Sequence, residues 1–63
     1  MTNMTTLTAL AEAGIRRQAK ISRERAEDTS SVETARYWLG RAEAYETAAD
    51  MVATALAINA QLS

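Results

Sequence analysis

Apolar residues recur along the chain at intervals of three and four, the spacing of one face of an α-helix. This pattern stops once, in the polar cluster Asp28-Thr29-Ser30-Ser31. Ser30 stands three residues before Glu33, the spacing of a capping box, in which each side chain accepts a hydrogen bond from the other residue's amide. The sequence therefore predicts two helices, at about 5–27 and about 31–60, joined by a turn at 28–31.

The predicted first helix has one apolar face and one charged face. Small and aliphatic side chains share the apolar stripe: Leu7, Leu10, Ala11, Gly14, Gln18, Ile21 and Ser22. Arg25 falls in the same stripe, and we expect its stem to cover the end of the hairpin while its guanidinium reaches water. The charged residues lie opposite: Glu12, Arg16, Lys20, Arg23 and Glu27.

The predicted second helix carries two apolar seams, each with alternating steps of three and four residues. The first seam consists of Ala35, Trp38, Ala42, Tyr45, Ala49, Val52 and Leu56. The second seam consists of Tyr37, Ala44, Ala48, Met51, Ala55, Ile58 and Leu62, and it is interrupted by Arg41. A short turn makes the two helices antiparallel neighbours, so the first helix can cover only one seam.

Counting outward from the turn pairs the first helix with the first seam. Ile21 is expected near Trp38, and Gly14 near Tyr45, where the missing side chain would make room for the ring. In this register the residues beyond about Leu56 extend past the end of the first helix. The second seam is therefore predicted to be covered by another chain.

Leaving the second seam in water forfeits about 1.5 kcal/mol or more for each large side chain that could be fully buried. A chain of 63 residues without cysteine has no disulfide to offset this loss. The predicted fold class is therefore all-α: a single helical-hairpin domain over residues 1–63, an antiparallel two-helix hairpin that assembles as a dimeric four-helix bundle. A helix of a different protein partner would cover the second seam equally well.

The composition excludes several classes of function. There is no His and no Cys, so the usual nucleophile and base pairs cannot form, and we expect no enzymatic activity, no cofactor and no metal. The longest uncharged run, at 51–63, is shorter than the roughly 20 apolar residues of a bilayer span, and no secretory start is visible. We therefore expect a cytoplasmic protein that does not enter a membrane. Abundant Ala, and Arg in place of Lys, favour a bacterial or phage source.

The segment 16–25 is locally basic, with five cations and one anion, although the net charge of the whole chain is −1. Four of these cations could contact phosphates if two copies placed them side by side: Arg16, Arg17, Lys20 and Arg23. A short antiparallel hairpin with a basic first helix resembles the Rop type of plasmid RNA-binding dimer in length, turn position and charge layout. That resemblance implies a regulatory dimer that binds RNA or DNA.

Two functional hypotheses follow from these patterns. The first is a non-enzymatic interaction module that self-associates or binds a protein partner, such as a phage or plasmid accessory factor or inhibitor. Its interface would be the second seam. The alternative is a nucleic-acid-binding dimer that uses the basic face of the first helix.

Overall fold

The structure, a computed structural model, describes residues 4–62, and it consists of two α-helices packed side by side. Helix α1 spans Met4–Asp28 and helix α2 spans Val32–Leu62. No residue within 4–62 belongs to a β-strand, and the prediction of an all-α hairpin is confirmed. Residues 1–3 and 63 of the predicted domain lie outside the described residues.

The turn between the helices is shorter than predicted. Ser31 caps α2, because its hydroxyl accepts a hydrogen bond from the Thr34 amide at 3.2 Å and its carbonyl accepts one from the Ala35 amide at 2.9 Å. The Ser31 amide in turn donates to the Thr29 hydroxyl at 3.2 Å. The predicted cap at Ser30 is therefore wrong by one residue, because α1 continues through residue 28 and the chain reverses over 29–31.

The two helices meet through small side chains. On α2 the first seam lies inside as predicted, since each of its residues is buried or half-buried, and Ala42 and Ala49 have no exposed surface. On α1 the facing positions are spaced by four and three: Thr8, Glu12, Ile15, Ala19, Ser22 and Ala26. Ala and Ser at the contact allow two helix backbones to approach closely, so this seam favours a narrow spacing between the helix axes.

Helix α1 is rotated relative to the prediction. Of the stripe expected to face α2, only Ser22 is buried, whereas Leu7, Leu10 and Gly14 are exposed. A Cβ atom added to Gly14 would have no neighbour within 4 Å, so the predicted pairing of Gly14 with Tyr45 is wrong. The physical reason is that the residues at closest contact are Ala and Ser, which let the two helix backbones approach, while larger seam residues such as Trp38 and Leu56 are only partly covered.

The predicted register is also shifted by about one helical turn. Trp38 lies against Arg25, which is four residues beyond the expected partner Ile21. At the open end of the hairpin, Thr5 and Thr8 of α1 line a groove together with residues of α2 as far as Asn59. Helix α1 therefore packs along α2 over a longer stretch than predicted.

The hairpin is a flat slab that measures 48 × 21 × 10 Å between its outermost Cα atoms. In two antiparallel helices, residues that are rotated in the same sense away from the helix contact lie on the same broad side of the pair. We call one broad side the charged side, defined by Arg16 and Arg23 of α1 and Glu46 and Asp50 of α2, which pair across the helices. The other is the apolar side, which we define from the helical spacing by these residues: Leu7, Ala11, Gly14, Gln18, Ile21 and Arg25 of α1, and Tyr37, Arg41, Ala44, Ala48, Met51, Ala55, Ile58 and Leu62 of α2. At the outer edge of α2 it adjoins the charged side, because Met51, Ala55 and Ile58 line one groove with Thr47, Asp50 and Thr54.

Candidate interaction surface

The described part of the hairpin has no core of large side chains. Its buried apolar residues are all alanines: Ala19, Ala26, Ala42 and Ala49. Ser22 is also buried, and no large side chain from 4–62 is fully buried. The larger side chains along the seam, such as Ile15, Trp38 and Leu56, are therefore only partly covered by the single chain.

Five of the large apolar side chains that are more than a third exposed belong to the apolar side: Leu7, Tyr37, Met51, Ile58 and Leu62. Met51 is 68% exposed and Leu62 is 81% exposed. A group of large apolar side chains left exposed on one face marks a site of protein interaction, because isolated soluble domains cover most such surface. The apolar side is therefore the candidate functional site.

The residues predicted to form the interface all lie on the apolar side. Tyr37, Ala44, Met51, Ala55, Ile58 and Leu62 are exposed, and Ala48 is half-buried beside the seam. Sequence reasoning missed that α1 contributes its own row, from Leu7 to Arg25, to the same surface. The spacing of this row is the signal for it, although the apolar character of the row predicts a place inside the hairpin.

The turn end of the apolar side holds an aromatic–arginine cluster, formed by Arg25, Tyr37, Trp38, Arg41 and Tyr45. The Arg25 guanidinium carbon lies 4.8 Å from the centre of the Trp38 ring. The Arg41 guanidinium carbon lies 5.7 Å from the centres of the Tyr37 and Trp38 rings, and 5.5 Å from that of Tyr45. These distances permit cation–π attraction, so one indole ring receives an arginine from each helix.

Hydrogen bonds fix Arg41 within this cluster. Its guanidinium donates to the Tyr37 hydroxyl at 3.2 Å and to the Tyr45 hydroxyl at 2.7 Å. The hydrogen bond to Tyr37, followed by electrostatic attraction to both tyrosines, raises the pKa of Arg41. The rings of Tyr37 and Trp38 meet edge to face, with centroids 5.1 Å apart. Trp, Tyr and Arg are the residue types that most often dominate the energy of protein interfaces.

Ion pairs hold the charged side together. The Arg16 guanidinium donates to Glu12 at 2.8 Å within α1 and to Asp50 at 3.2 Å across the helices. Arg23 donates two hydrogen bonds to the Glu46 carboxylate, one of them at 2.9 Å. The hydrogen bond from Arg23 holds the pKa of Glu46 below its usual value. Glu46 and Asp50 of α2 thus find their basic partners within the same chain.

The four residues of the nucleic-acid hypothesis are not equivalent in the structure. Arg16 and Arg23 are engaged in ion pairs, whereas Arg17 and Lys20 are exposed and make no ion pair with any described residue. A shallow groove beside them is lined by Lys20 and Arg23 but also by Glu24, Glu27 and Glu46. The basic face of α1 is therefore interrupted by anions, which weakens its attraction for phosphates.

Three further observations bear on function. Within residues 4–62, no three acidic side chains come together in a group that could hold a metal ion. Neither of the two described helices is long and apolar enough to cross a membrane. No protein-family model matches the chain, and no curated protein or solved structure is significantly similar to it. The function is therefore inferred from the surface of this chain alone.

Proposed function

We propose that this chain is a small, non-enzymatic protein-interaction module whose binding surface is the apolar side. The observation that carries the proposal is the burial of alanines in place of large side chains at the contact between the helices. Burial of a large aliphatic or aromatic side chain stabilises a protein by about 1.5–3 kcal/mol. Because the stability of a whole domain is only about 5–15 kcal/mol, the uncovered side chains represent a decisive fraction of it.

The accessible surface of the chain supports the same proposal. The isolated hairpin exposes 4898 Å² for a mass of 6.8 kDa. A compact monomer of this mass exposes about 4,000 Å² by the usual scaling of surface with mass. The excess of roughly 900 Å² is close to the 800 Å² or so that one partner buries in a standard interface. A partner seated on the apolar side would remove this excess.

The proposed biological role is that of an accessory factor or inhibitor in the cytoplasm of a bacterium, encoded by a phage or plasmid. The absence of His and Cys from the sequence supports a role in binding over one in catalysis. Hairpins of this size present a rigid helical surface, which suits them to self-association or to the capture of a partner helix.

Thermal unfolding followed by circular dichroism across a wide range of protein concentrations tests the proposal. An interaction module gains stability from its partner by mass action, so the Tm of a self-associating chain should rise with concentration. A chain that needs a different protein should instead show little helix on its own. A well-folded monomer that unfolds cooperatively at a Tm independent of concentration would overturn the proposal.

A further inference from the structure

We infer that the occupant of the apolar side is a second copy of this chain, which lies antiparallel with its turn at the opposite end. The inference rests on the proposed function and adds the identity, orientation and register of the partner. A two-fold axis would pass close to Ala48 of α2 and at the height of Arg16 in α1. Each helix would then pack against the same helix of the other copy.

The first argument is the match of side-chain sizes along α2. An antiparallel pairing centred on Ala48 brings Arg41 opposite Ala55 of the second copy, and places Ala44 within one residue of the position opposite Met51. Each larger side chain in these pairs faces a small one, and two alanines meet at the centre. Interdigitation of large and small residues fills space without voids, as packed protein interiors require.

The side-chain sizes along α1 fit the same two-fold axis. Pairing about Arg16 brings Ile21 opposite Ala11 of the second copy, and Gln18 opposite Gly14. The space around Gly14 is open, since a Cβ atom there would have no neighbour within 4 Å. A position without a side chain at the centre of a helix contact lets the two backbones approach each other closely.

The two residues at which the axis crosses the helices, Arg16 in α1 and Ala48 in α2, lie at about the same level along the hairpin. The ion pair between Arg16 and Asp50 places the middle of α1 beside residues 48–50 of α2. A single two-fold axis can therefore pass through both helix contacts at once.

Charge excludes the other orientation, in which both turns lie at one end. Arg25 and Arg41 of one chain already share the Trp38 ring. With both turns together, the same two arginines of the second copy would face them, and four cations would occupy one layer. No described carboxylate lies within 4 Å of Arg25 or Arg41 to offset the repulsion. Like charges placed together across an interface disfavour that arrangement strongly.

The available area suits a second copy. The broad side measures 48 × 21 Å between Cα extremes, or about 1,000 Å², and a standard interface takes about 800 Å² from each partner. A copy of equal length covers the side from end to end, including Leu7 and Ile58 at the open end.

Disulfide cross-linking tests the position of the axis, because the natural chain has no cysteine. In the antiparallel dimer the variant Ala48→Cys should cross-link rapidly on mild oxidation, since two Cα atoms about 4.4–6.8 Å apart permit a disulfide. Ala55→Cys is the matched control on the same side. Its two copies would lie about 21 Å apart along the axis, from fourteen residues at 1.5 Å each, and should not cross-link.

A distance between the two turns tests the orientation. Ser30 is exposed, so a nitroxide attached to the variant Ser30→Cys should not disturb the fold. Pulsed electron paramagnetic resonance should give a separation of about 40 Å, because each turn lies some fourteen residues from the axis. Turns at the same end would instead lie within about 20 Å of each other, given helix axes 8–10 Å apart.

The outcomes separate this inference from the proposed function. Cross-linking through residue 48 together with the long separation supports the inference. A dimer with the short separation, or cross-linking through residue 55 in place of 48, overturns it and leaves the interaction module intact. A poorly helical monomer that gains structure only with a different protein does the same. A cooperatively folded monomer at every concentration overturns both.

Discussion

The two broad sides of the hairpin differ in how far one chain satisfies its own side chains. On the charged side, Arg16 and Arg23 find Asp50 and Glu46 across the helices, so the polar partners are already present. On the apolar side, large residues such as Met51 remain mostly exposed. The ion pairs across the helices are therefore formed within one chain, whereas the large apolar side chains are not covered by it, and the apolar side is the one to examine for function.

The two sides also differ in what they contribute. Exposed ion pairs are screened by water and cost side-chain entropy, so they help to fix the register of the helices more than they stabilise the fold. Apolar burial carries most of the free energy of folding. A substitution on the apolar side should therefore have a much larger effect than one on the charged side.

The largest effect is expected from Met51→Glu. A carboxylate placed in the proposed interface would lose its hydration without gaining a partner, so the affinity of association should fall by at least about a hundredfold, equivalent to about 2.7 kcal/mol. Sedimentation equilibrium at micromolar concentration measures the change. Ala57→Glu, which adds the same charge at an exposed position off the apolar side, should leave the mass of the assembly unchanged.

A second variant tests the seam between the helices. Ala42 has no exposed surface, so Ala42→Leu would force the helices apart and lower the free energy of unfolding by about 1–3 kcal/mol. Urea unfolding at a fixed protein concentration measures this loss, and Ala57→Leu serves as the control for added bulk. An unchanged midpoint for Ala42→Leu would mean that the helices do not meet through this alanine.

A smaller effect is expected on the charged side, and it should depend on pH. Arg23 lowers the pKa of Glu46 from its usual 4.5, so the ionised carboxylate is favoured in the folded state. The resulting stabilisation is present above pH 4.5 and is lost as the pH falls through the lowered pKa. The Tm difference between the natural chain and Glu46→Gln should therefore shrink on acidification. A difference that grows in acid would contradict the ion pair.

The smallest effect is expected for nucleic acid. Because Arg16 and Arg23 are committed to ion pairs, gel shifts with structured RNA and duplex DNA at low salt should show no retained complex. Binding that weakens steeply with salt, and that the paired change Arg17→Glu with Lys20→Glu abolishes, would favour the alternative hypothesis. The control Thr54→Glu with Ala57→Glu also introduces two glutamates, on α2, and changes the net charge by −2 against −4 for the test pair.

Much of the fold was predictable because local signals were strong. The polar cluster before Val32 predicts the turn to within one residue, and the steps of three and four predict the inner seam of α2. The inward face of α1 was not predictable in this way. Its true contact row contains Thr8, Glu12 and Ser22, which no hydropathy pattern selects, and the half-buried Glu12 is satisfied by Arg16.

The error on α1 has a physical explanation that bears on the candidate site. Hydropathy favours facing the most apolar stripe toward the neighbouring helix, but small side chains permit closer packing, and a second surface competes for the larger ones. Leu7 and Ile21 consequently join Met51 and Ile58 on the apolar side. The α2 half of the candidate site was thus predictable from the sequence, and the α1 half required knowledge of how the helices are rotated.

The alanine and serine seam has a consequence for how such a chain can change over time. The residues that hold the two helices together are distinct from those that would contact a partner on the apolar side. Mutation at Ala44, Met51 or Ile58 can therefore alter which molecule is accepted while the underlying scaffold persists. After gene duplication, two copies could each evolve to bind only their own kind, by swapping large and small side chains between facing positions of the interface. Ala42 and Ala49 would stay unchanged.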